Sequence, residues 1–156
     1  MPDTMRVGLI SDTHGLLRPE AVKALAGVEL IIHAGDVGSP EILAALGDLA
    51  PLVAVRGNID TGAWAKTLPP TAVAEVGKAL IYVLHDVNDL DLDPAAAGFS
   101  VVVSGHSHVP KNENRKGVLY VNPGSAGPRR FKLPVTVAIL EVGSGFPSAA
   151  FFPLLD

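Results

Sequence analysis

The chain has 156 residues, a formal net charge of −4 and no cysteine. The lack of cysteine excludes disulfides, thiolate metal sites and a cysteine nucleophile, so any bound metal must use nitrogen and oxygen ligands. The weakly acidic charge gives no overall attraction to polyanions, and we do not expect nucleic acid as the main ligand. A chain of this length can bury its own core, and we expect a single domain over residues 1–156.

The apolar pattern disfavours two further classes of protein. No uninterrupted apolar run approaches the roughly 20 residues that a bilayer-spanning helix needs. The N-terminal sequence MPDTMRVGLIS has no basic segment followed by a long apolar stretch, so we expect no secretory signal. The sequence therefore predicts a soluble, cytoplasmic protein that does not act at a membrane.

The first third of the chain predicts alternating strands and helices. Three short apolar runs are typical of strands buried on both faces: residues 7–11, 30–33 and 52–55. Between them, helical spacing of apolar residues predicts one helix near residues 19–26 and a second from the N-cap Ser39 to Leu49. This alternating order implies a parallel sheet with right-handed crossovers.

The rest of the chain is richer in strands. Five segments with many β-branched residues are predicted strands: 71–76, 79–84, 100–104, 118–121 and 135–142. Gly77-Lys78 and the sequence KNENRKG, residues 111–117, resemble hairpin turns. Together the elements predict an α/β fold in which two packed mixed β-sheets are sandwiched between helices.

Polar residues follow the predicted strands repeatedly. Seven potential ligands lie just beyond strand ends: Asp12, His14, Asp36, Asn58, His85, His106 and His108. Parallel α/β sheets bind ligands outside the carboxyl ends of their strands, and residues two apart on an extended chain project to the same side. Seven nitrogen and oxygen donors are too many for one tetrahedral ion. They suit two adjacent divalent ions, with Mn, Fe or Zn favoured over Ca or Mg.

Five ordered blocks resemble the calcineurin-like metallophosphoesterases, specifically their small single-domain phosphodiesterase branch, over nearly the whole chain. The blocks D-x-H, G-D, G-N, a strand-end histidine and G-H-x-H are found here at residues 12–14, 35–36, 57–58, 85 and 105–108, and NPGS follows at 122–125. The resemblance implies an αββα fold, which agrees with the predicted strands. The glycines at 35, 57 and 105 fit a close backbone approach beside a metal cluster, where a Cβ has little room.

The resemblance also implies how the ligands are shared. Asp12, His14 and His108 would bind one metal, Asn58, His85 and His106 would bind the other, and Asp36 would bridge both. Three of these residues, Asp36, Asn58 and His106, would be catalytic. The implied cofactors are two divalent transition-metal ions, with Mn first and Fe, Zn or Ni as alternatives.

The implied reaction is hydrolysis of a phosphoester, with phosphodiesters as the expected substrates. Two ions roughly 3.5–4 Å apart polarise the phosphoryl oxygens and lower the pKa of a bridging water, and the resulting hydroxide attacks phosphorus in line. No protein nucleophile is needed. The expected partner is therefore a small phosphoester, and a homo-oligomer is left open.

Some positions depart from the family pattern. Ile59 stands where the family often has a histidine or cysteine near the leaving group, and isoleucine cannot donate a proton. Asp86 and Val87 replace the Gly-His that commonly follows the strand-end histidine, and we expect Asp86 to turn outward with the acidic DVNDLDLD loop. Asp60 is a candidate for supporting the ligands, whereas His33 either orients Asp36 or is a hydrogen-bonded strand histidine.

Two other functions compete with catalysis. The first is a non-catalytic metal-binding scaffold, because the retromer scaffold subunit resembles this family and serves mainly as an interaction platform. All seven ligand positions are filled here, which favours catalysis, whereas an exposed apolar patch of several hundred Å² would favour the scaffold. The second is a doubly wound nucleotide-binding domain, which is disfavoured because neither G-x-G-x-x-G nor a P-loop follows the first strand.

Overall fold

Residues 4–155, the part of the chain that the computed structural model describes, form two five-stranded β-sheets and two short α-helices. The elements are, in chain order, β1 (Met5–Ile10), α1 (Pro19–Ala24), β2 (Leu30–His33), α2 (Pro40–Leu49), β3 (Leu52–Ala54), β4 (Thr71–Val76), β5 (Ala79–Leu84), β6 (Val101–Val103), β7 (Lys111–Arg115), β8 (Val118–Asn122), β9 (Thr136–Val142) and β10 (Ser148–Pro153). Short 3₁₀ segments lie at Ala63–Thr67 and Val87–Asp89. None of the helices in the described residues is both long and apolar enough to cross a membrane.

The first sheet has the strand order β10-β9-β1-β2-β3, with β1, β2 and β3 parallel to one another. Each crossover helix begins with a proline at its first position, where the missing N–H leaves no hydrogen bond unmade. Ile10, His33 and Ala54 stand side by side across the three strands. The loops that follow these strands therefore leave the sheet at the same edge.

The second sheet has the order β4-β5-β6-β8-β7, and its three central strands are also parallel. Val83, Val103 and Val121 stand side by side, so these strands end at one level too. The strand-end histidine, the G-H-x-H block and the NPGS segment follow directly from these three ends. In both sheets, the polar loops therefore follow the carboxyl ends of parallel strands.

The two sheets pack face to face over a core of aliphatic side chains. Leu9 and Ile32 of the first sheet and Val83 and Val103 of the second are fully buried in one cluster. β-Branched side chains fit this position because they pack well on a pleated surface and lose little rotamer freedom there. The prediction of an α/β fold with two packed mixed sheets is confirmed.

The outer faces of the two sheets are covered differently. Leu25 at the end of α1 and Leu46 of α2 are buried against the outer face of the first sheet. Over the second sheet, the segment around residues 90–99 contributes the apolar cover instead, with Phe99 packing its ring edge against Tyr82 at 5.2 Å between centroids. In the described residues the two α-helices therefore both lie on the side of the first sheet.

Two edge strands differ from the sequence prediction. The sequence KNENRKG was expected to be a turn, but its first five residues form β7, and only Lys116 and Gly117 make the turn to β8. Both turn residues have positive φ, 54° and 83°, as a tight hairpin requires. β10, at Ser148–Pro153, was not predicted at all. Both strands are largely exposed, so neither shows the apolar alternation that marks a half-buried strand.

Candidate metal centre

The candidate site lies where the strand ends of the two sheets meet. Asp12 and Asp36 follow β1 and β2 of the first sheet, whereas His85 and His108 follow β5 and β6 of the second. Backbone hydrogen bonds join the loops within each sheet: Asp12 N–H donates to Gly35 O at 3.0 Å, and Gly105 N–H donates to His85 O at 2.9 Å. The fold therefore brings together side chains that are far apart in sequence.

Asp12 lies at the centre of this cluster. Its Oδ2 accepts hydrogen bonds from the Ser11 hydroxyl at 2.7 Å and from the His106 backbone N–H at 3.1 Å. Its Oδ1 lies 3.3 Å from His108 Nε2, 3.7 Å from His14 Nε2 and 3.9 Å from His85 Nε2. One carboxylate oxygen thus fixes the orientation of the side chain, and the other faces three imidazole rings.

Asp36 lies between two of the same imidazoles. Its Oδ2 is 3.2 Å from His85 Nε2 and 3.5 Å from His14 Nε2, and its Oδ1 accepts the Ile59 N–H at 3.0 Å. Burial alone would raise the pKa of this carboxyl, but the His85 contact and the Ile59 N–H outweigh burial and lower the pKa to about 2. Asp36 is therefore ionised at neutral pH, as a metal ligand must be.

A backbone hydrogen bond fixes the tautomer of one histidine of the cluster, His85. His85 Nδ1 lies 2.7 Å from the Ala34 carbonyl oxygen, which can only accept, so Nδ1 carries the proton and Nε2 has a free lone pair. Burial lowers the pKa of His85, yet the Asp36 contact and the Ala34 hydrogen bond together raise it above its usual value. For His108, burial lowers the pKa and the nearby Arg130 charge adds to this effect, while Asp12 opposes it.

Several buried nitrogen and oxygen atoms of the cluster lack a hydrogen-bond partner, as expected of atoms that bind a metal. Within residues 4–155, four buried atoms of the cluster have no hydrogen-bond partner: Asp12 Oδ1, His14 Nε2, His85 Nε2 and His108 Nδ1. A buried polar atom without a partner costs about 1–3 kcal/mol, so such atoms are rarely grouped without a reason. Two groups have ligand atoms within 4.8 Å of one another, Asp12 with His14 and His108, and Asp12 with Asp36 and His85. The donor set fits divalent ions.

The structure places the seven predicted ligands in two sets. Five lie in the two groups just described, whereas Asn58 and His106 lie at the rim. Asn58 is exposed and lines the same cavity as His85. His106 is 45% exposed in its side chain, and its ring packs edge-on against that of His85 at 5.3 Å between centroids. Asp12 belongs to both groups. The sequence-based allocation gave the bridging position to Asp36 alone.

The backbone of the cluster is held in an uncommon conformation. Five of the predicted ligands have left-handed φ values: Asp12 (56°), His14 (48°), Asp36 (57°), His106 (71°) and His108 (65°). Non-glycine residues seldom adopt positive φ, and such strain of about 1–3 kcal/mol per residue is concentrated at functional sites. Only two other non-glycine residues of the described chain have positive φ. Surrounding hydrogen bonds therefore hold the ligands where an unconstrained loop would not.

All three glycines predicted to lie close to the cluster are required by space. A Cβ on Gly35 would lie 2.7 Å from His85 Nδ1, and a Cβ on Gly57 would lie 2.2 Å from Asp36 Oδ1. A Cβ on Gly105 would lie 2.0 Å from Ser11 Oγ and 2.7 Å from Asp12 Oδ2. Real Cβ atoms essentially never approach other atoms this closely. The predicted close approach of backbone to ligand is confirmed at all three positions.

Asp60 supports the site through the backbone. Its carboxylate is 2% exposed and accepts the N–H groups of Gly57 at 3.0 Å, Val37 at 3.1 Å and Gly38 at 3.0 Å. These bonds tie the loop after β2 to the loop after β3, with Asp36 between them. The predicted supporting role of Asp60 is confirmed by this geometry.

His33 supports the site as a neutral imidazole. Its Nδ1 accepts the Gly35 N–H at 3.1 Å, and its Nε2 lies 3.0 Å from the Thr13 hydroxyl. Because that hydroxyl donates to the Val37 carbonyl at 2.7 Å, His33 Nε2 must be the donor to Thr13. Complete burial lowers the pKa of His33 to about 4. His33 is thus a hydrogen-bonded strand histidine that also positions both ligand loops.

The orientation of the Asp86 side chain differs from the sequence-based expectation. It was expected to turn outward, but its Oδ2 lies 3.7 Å from His106 Nε2 and its side chain is 24% exposed. Its Oδ1 accepts the Asn88 N–H at 3.0 Å, capping the 3₁₀ segment that follows. With Oδ1 held by this cap, Oδ2 faces His106 at the rim of the site.

Sequence reasoning missed several supporting residues. Ser125 Oγ donates to the Asp12 carbonyl at 3.1 Å, and Asn122 Nδ2 donates to the Gly105 carbonyl at 3.0 Å and to Ser107 Oγ at 3.1 Å. Asn122 and Ser125 belong to the NPGS segment, whose position after the last histidine block was the available signal. That segment therefore supports the loops that carry the ligands.

The fold and the site together define a class of protein: a two-sheet α/β sandwich with a carboxylate and imidazole metal centre at its strand ends. The family model of the calcineurin-like phosphoesterase superfamily domain matches residues 5–145, and the chain belongs to this family. Family membership confirms the prediction of a metal-dependent phosphoester hydrolase.

Known relatives and solved structures agree with this assignment. A probable metallophosphoesterase of Methanocaldococcus jannaschii is 40% identical over 135 residues, covering 78% of this chain and 68% of that protein. A phosphodiesterase of the same organism is 28% identical, covering 88% of this chain and 93% of that protein. A solved archaeal phosphodiesterase has a TM-score of 0.78 at 24% identity, covering 95% and 100% of the two chains. Vps29 of Cryptosporidium parvum has a TM-score of 0.77 at 19% identity, covering 96% and 97%, and both structures share the fold.

Proposed function

We propose that the chain is a binuclear metal-dependent phosphodiesterase. The observation that carries this proposal is the pair of ligand groups, Asp12 with His14 and His108 and Asp12 with Asp36 and His85, whose ligand atoms lie within 4.8 Å of one another and include buried atoms without a hydrogen-bond partner. Asp36 supports it, because its Oδ2 faces imidazoles of both groups. The preferred ions are Mn²⁺, with Fe, Zn or Ni as alternatives, since mixed imidazole and carboxylate donors suit transition metals.

The residues divide the work of the site. Two bound ions would supply Lewis acidity and a water of lowered pKa, so that hydroxide attacks phosphorus in line. Asp12 and Asp36 provide the negative charge that holds the cations, and hydrogen bonds from Ser11 and Ile59 keep both carboxylates oriented. Asn58 and His106, the exposed members, are proposed to contact the phosphoryl group as well as an ion.

The substrate class follows from the openness of the site and from its relatives. A small phosphoester reaches the rim through the cavity that Asn58 lines, and the phosphodiesterase relative supports a diester. The proposal also includes one domain over residues 1–156, a cytoplasmic location and no nucleic acid as main ligand. The oligomeric state is left open.

The test combines metal binding with turnover. Metal-stripped protein is titrated with Mn²⁺ by calorimetry and then assayed on bis-p-nitrophenyl phosphate. We expect two ions per chain, and we expect Asp36→Asn to lower kcat at least about 100-fold, because even residues that only support metal ligands are worth about 10- to 100-fold. Asp48→Asn removes an exposed aspartate of α2 and serves as the matched control. A single bound ion, or equal turnover by Asp36→Asn, contradicts the binuclear site.

The alternative is a non-catalytic metal-binding scaffold. Its support is the shared fold with Vps29 and the exposed apolar side chains Val73 and Phe152, 56% and 41% exposed, on the edge strands β4 and β10. The filled set of ligand positions favours the enzyme. Metal-loaded, folded protein that binds two ions but hydrolyses no phosphodiester would favour the scaffold.

A further inference from the structure

Asp86 lies between the metal centre and two cavities. Its Oδ2 is 3.7 Å from His106 Nε2, and the hydrogen bond from Asn88 N–H fixes the other oxygen. Asp86 lines a cavity of about 220 Å³ beside His106 and also a cavity of about 390 Å³ that contains Asn58 and His85. A phosphoester bound at the metal centre, with its ester group in either cavity, therefore sits beside this carboxylate.

The charges that line the larger cavity do not neutralise Asp86. That cavity is lined by one cationic residue, Arg56, and by three carboxylates, those of Asp86, Asp89 and Asp91. In the smaller cavity, Lys111 and Arg115 contact Glu113 at 3.3 Å and 3.0 Å, and the formal charges of these three residues and Asp86 sum to zero. The negative charge of Asp86 therefore acts most strongly on a group that occupies the larger cavity beside the centre.

We propose that Asp86 is a specificity-determining residue that favours singly charged phosphodiesters over doubly charged phosphomonoesters, an inference that rests on the proposed function. Near pH 8 a phosphomonoester carries about two negative charges, whereas a diester carries one. A unit charge at roughly 8 Å, in an effective dielectric constant of roughly 20 to 30, changes the affinity for one more negative charge about ten- to thirty-fold. The carboxylate acts as a fixed charge.

The experiment compares Asp86→Asn with wild type and with Asp93→Asn, at pH 8 with Mn²⁺. Asp93 lies on the same acidic loop but lines neither cavity, so its variant controls for overall charge. We expect kcat/KM for p-nitrophenyl phosphate, relative to bis-p-nitrophenyl phosphate, to rise about ten- to thirty-fold in Asp86→Asn alone. Calorimetry provides a second measurement: the affinity for inorganic phosphate, relative to that for diethyl phosphate, should rise by a similar factor in Asp86→Asn.

The outcomes separate this inference from the proposed function. If the wild type hydrolyses the diester but Asp86→Asn changes neither the ratio nor the phosphate affinity, the inference is overturned and the proposed function stands. Loss of Mn²⁺ from Asp86→Asn also overturns it, because Asp86 would then be a ligand. If the wild type hydrolyses neither ester with metal bound, the proposed function fails and takes this inference with it.

Discussion

Removing the Asp60 carboxylate should loosen the metal centre without touching a ligand. Asp60→Ala leaves three backbone N–H groups, of Gly57, Val37 and Gly38, without their acceptor. Each buried N–H that loses its partner costs about 1–3 kcal/mol, and water can reach Gly38 because this residue is exposed. For the other two N–H groups, of Gly57 and Val37, we therefore expect Asp60→Ala to lower the free energy of unfolding by about 2–6 kcal/mol, a large part of the typical 5–15 kcal/mol.

Asp60→Asn gives a finer measure of the same contacts. The amide oxygen can replace Oδ2, which accepts two of the three bonds, whereas the amide nitrogen would face the Gly38 N–H, donor against donor. We expect a loss of about 1–3 kcal/mol in urea unfolding of the metal-free protein. The affinity for Mn²⁺, measured by calorimetry, should fall about 10- to 100-fold in the same variant, because the donor–donor contact at Gly38 displaces the loop that carries Asp36.

Asp48→Asn is again the control, since it removes an exposed aspartate that has no part in the site. The reasoning is refuted if Asp60→Ala unfolds within about 0.5 kcal/mol of wild type, the range of ordinary surface substitutions. It is also refuted if Asp60→Asn is destabilised yet binds Mn²⁺ as tightly as wild type, because Asp60 would then support the fold but not the ligands.

Two further predictions concern His33 and Ile59. The pKa of His33 is about 4 in the folded protein and 6.5 for an ordinary histidine, as in the unfolded chain. The unfolded chain therefore binds more protons between these pH values, and stability falls as the pH drops through that window. Metal-free wild type should lose up to about 3 kcal/mol there relative to His33→Asn, and parallel pH profiles in urea unfolding would contradict this. Ile59 has no proton to donate, so nitrophenyl esters should be hydrolysed far faster than alkyl esters. Ile59→His should narrow that gap, and equal rates on both esters in the wild type would rule the reasoning out.

The parts of the fold that could be predicted are the buried elements, because burial requires a regular pattern of apolar residues in the sequence. The strands of the parallel half are apolar runs, and their helices carry proline starts, so β1 to β3 were placed nearly to the residue. β7 was taken as a turn, because its residues KNENR are mostly exposed and its position depends on pairing with β8. Edge strands of this kind are specified by their neighbours and not by their own composition.

The candidate site could be predicted in its composition but not in its geometry. The position of the ligands after strand ends and the H-x-H spacing identified the side chains that lie together in the structure. The glycines indicated where the backbone passes close to those side chains. The left-handed backbone at Asp12 and Asp36 gives no distinct sequence signal, because aspartate adopts that conformation in ordinary turns as well as at functional sites. The inward orientation of Asp86 likewise depends on one backbone hydrogen bond, from Asn88, that forms only after the loop has folded.

Both sheets of the sandwich supply ligands to the metal centre. Asp12, His14 and Asp36 follow strands of the first sheet, whereas His85 and His108 follow strands of the second. A cation held by Asp36 and His85 would therefore cross-link the two sheets, as a disulfide does in a chain that has cysteine. A substitution deep in the shared core, such as one at Val83, would shift one set of ligands against the other. Metal affinity would therefore depend on how the sheets pack, and a metal that binds only the folded chain would stabilise the whole sandwich.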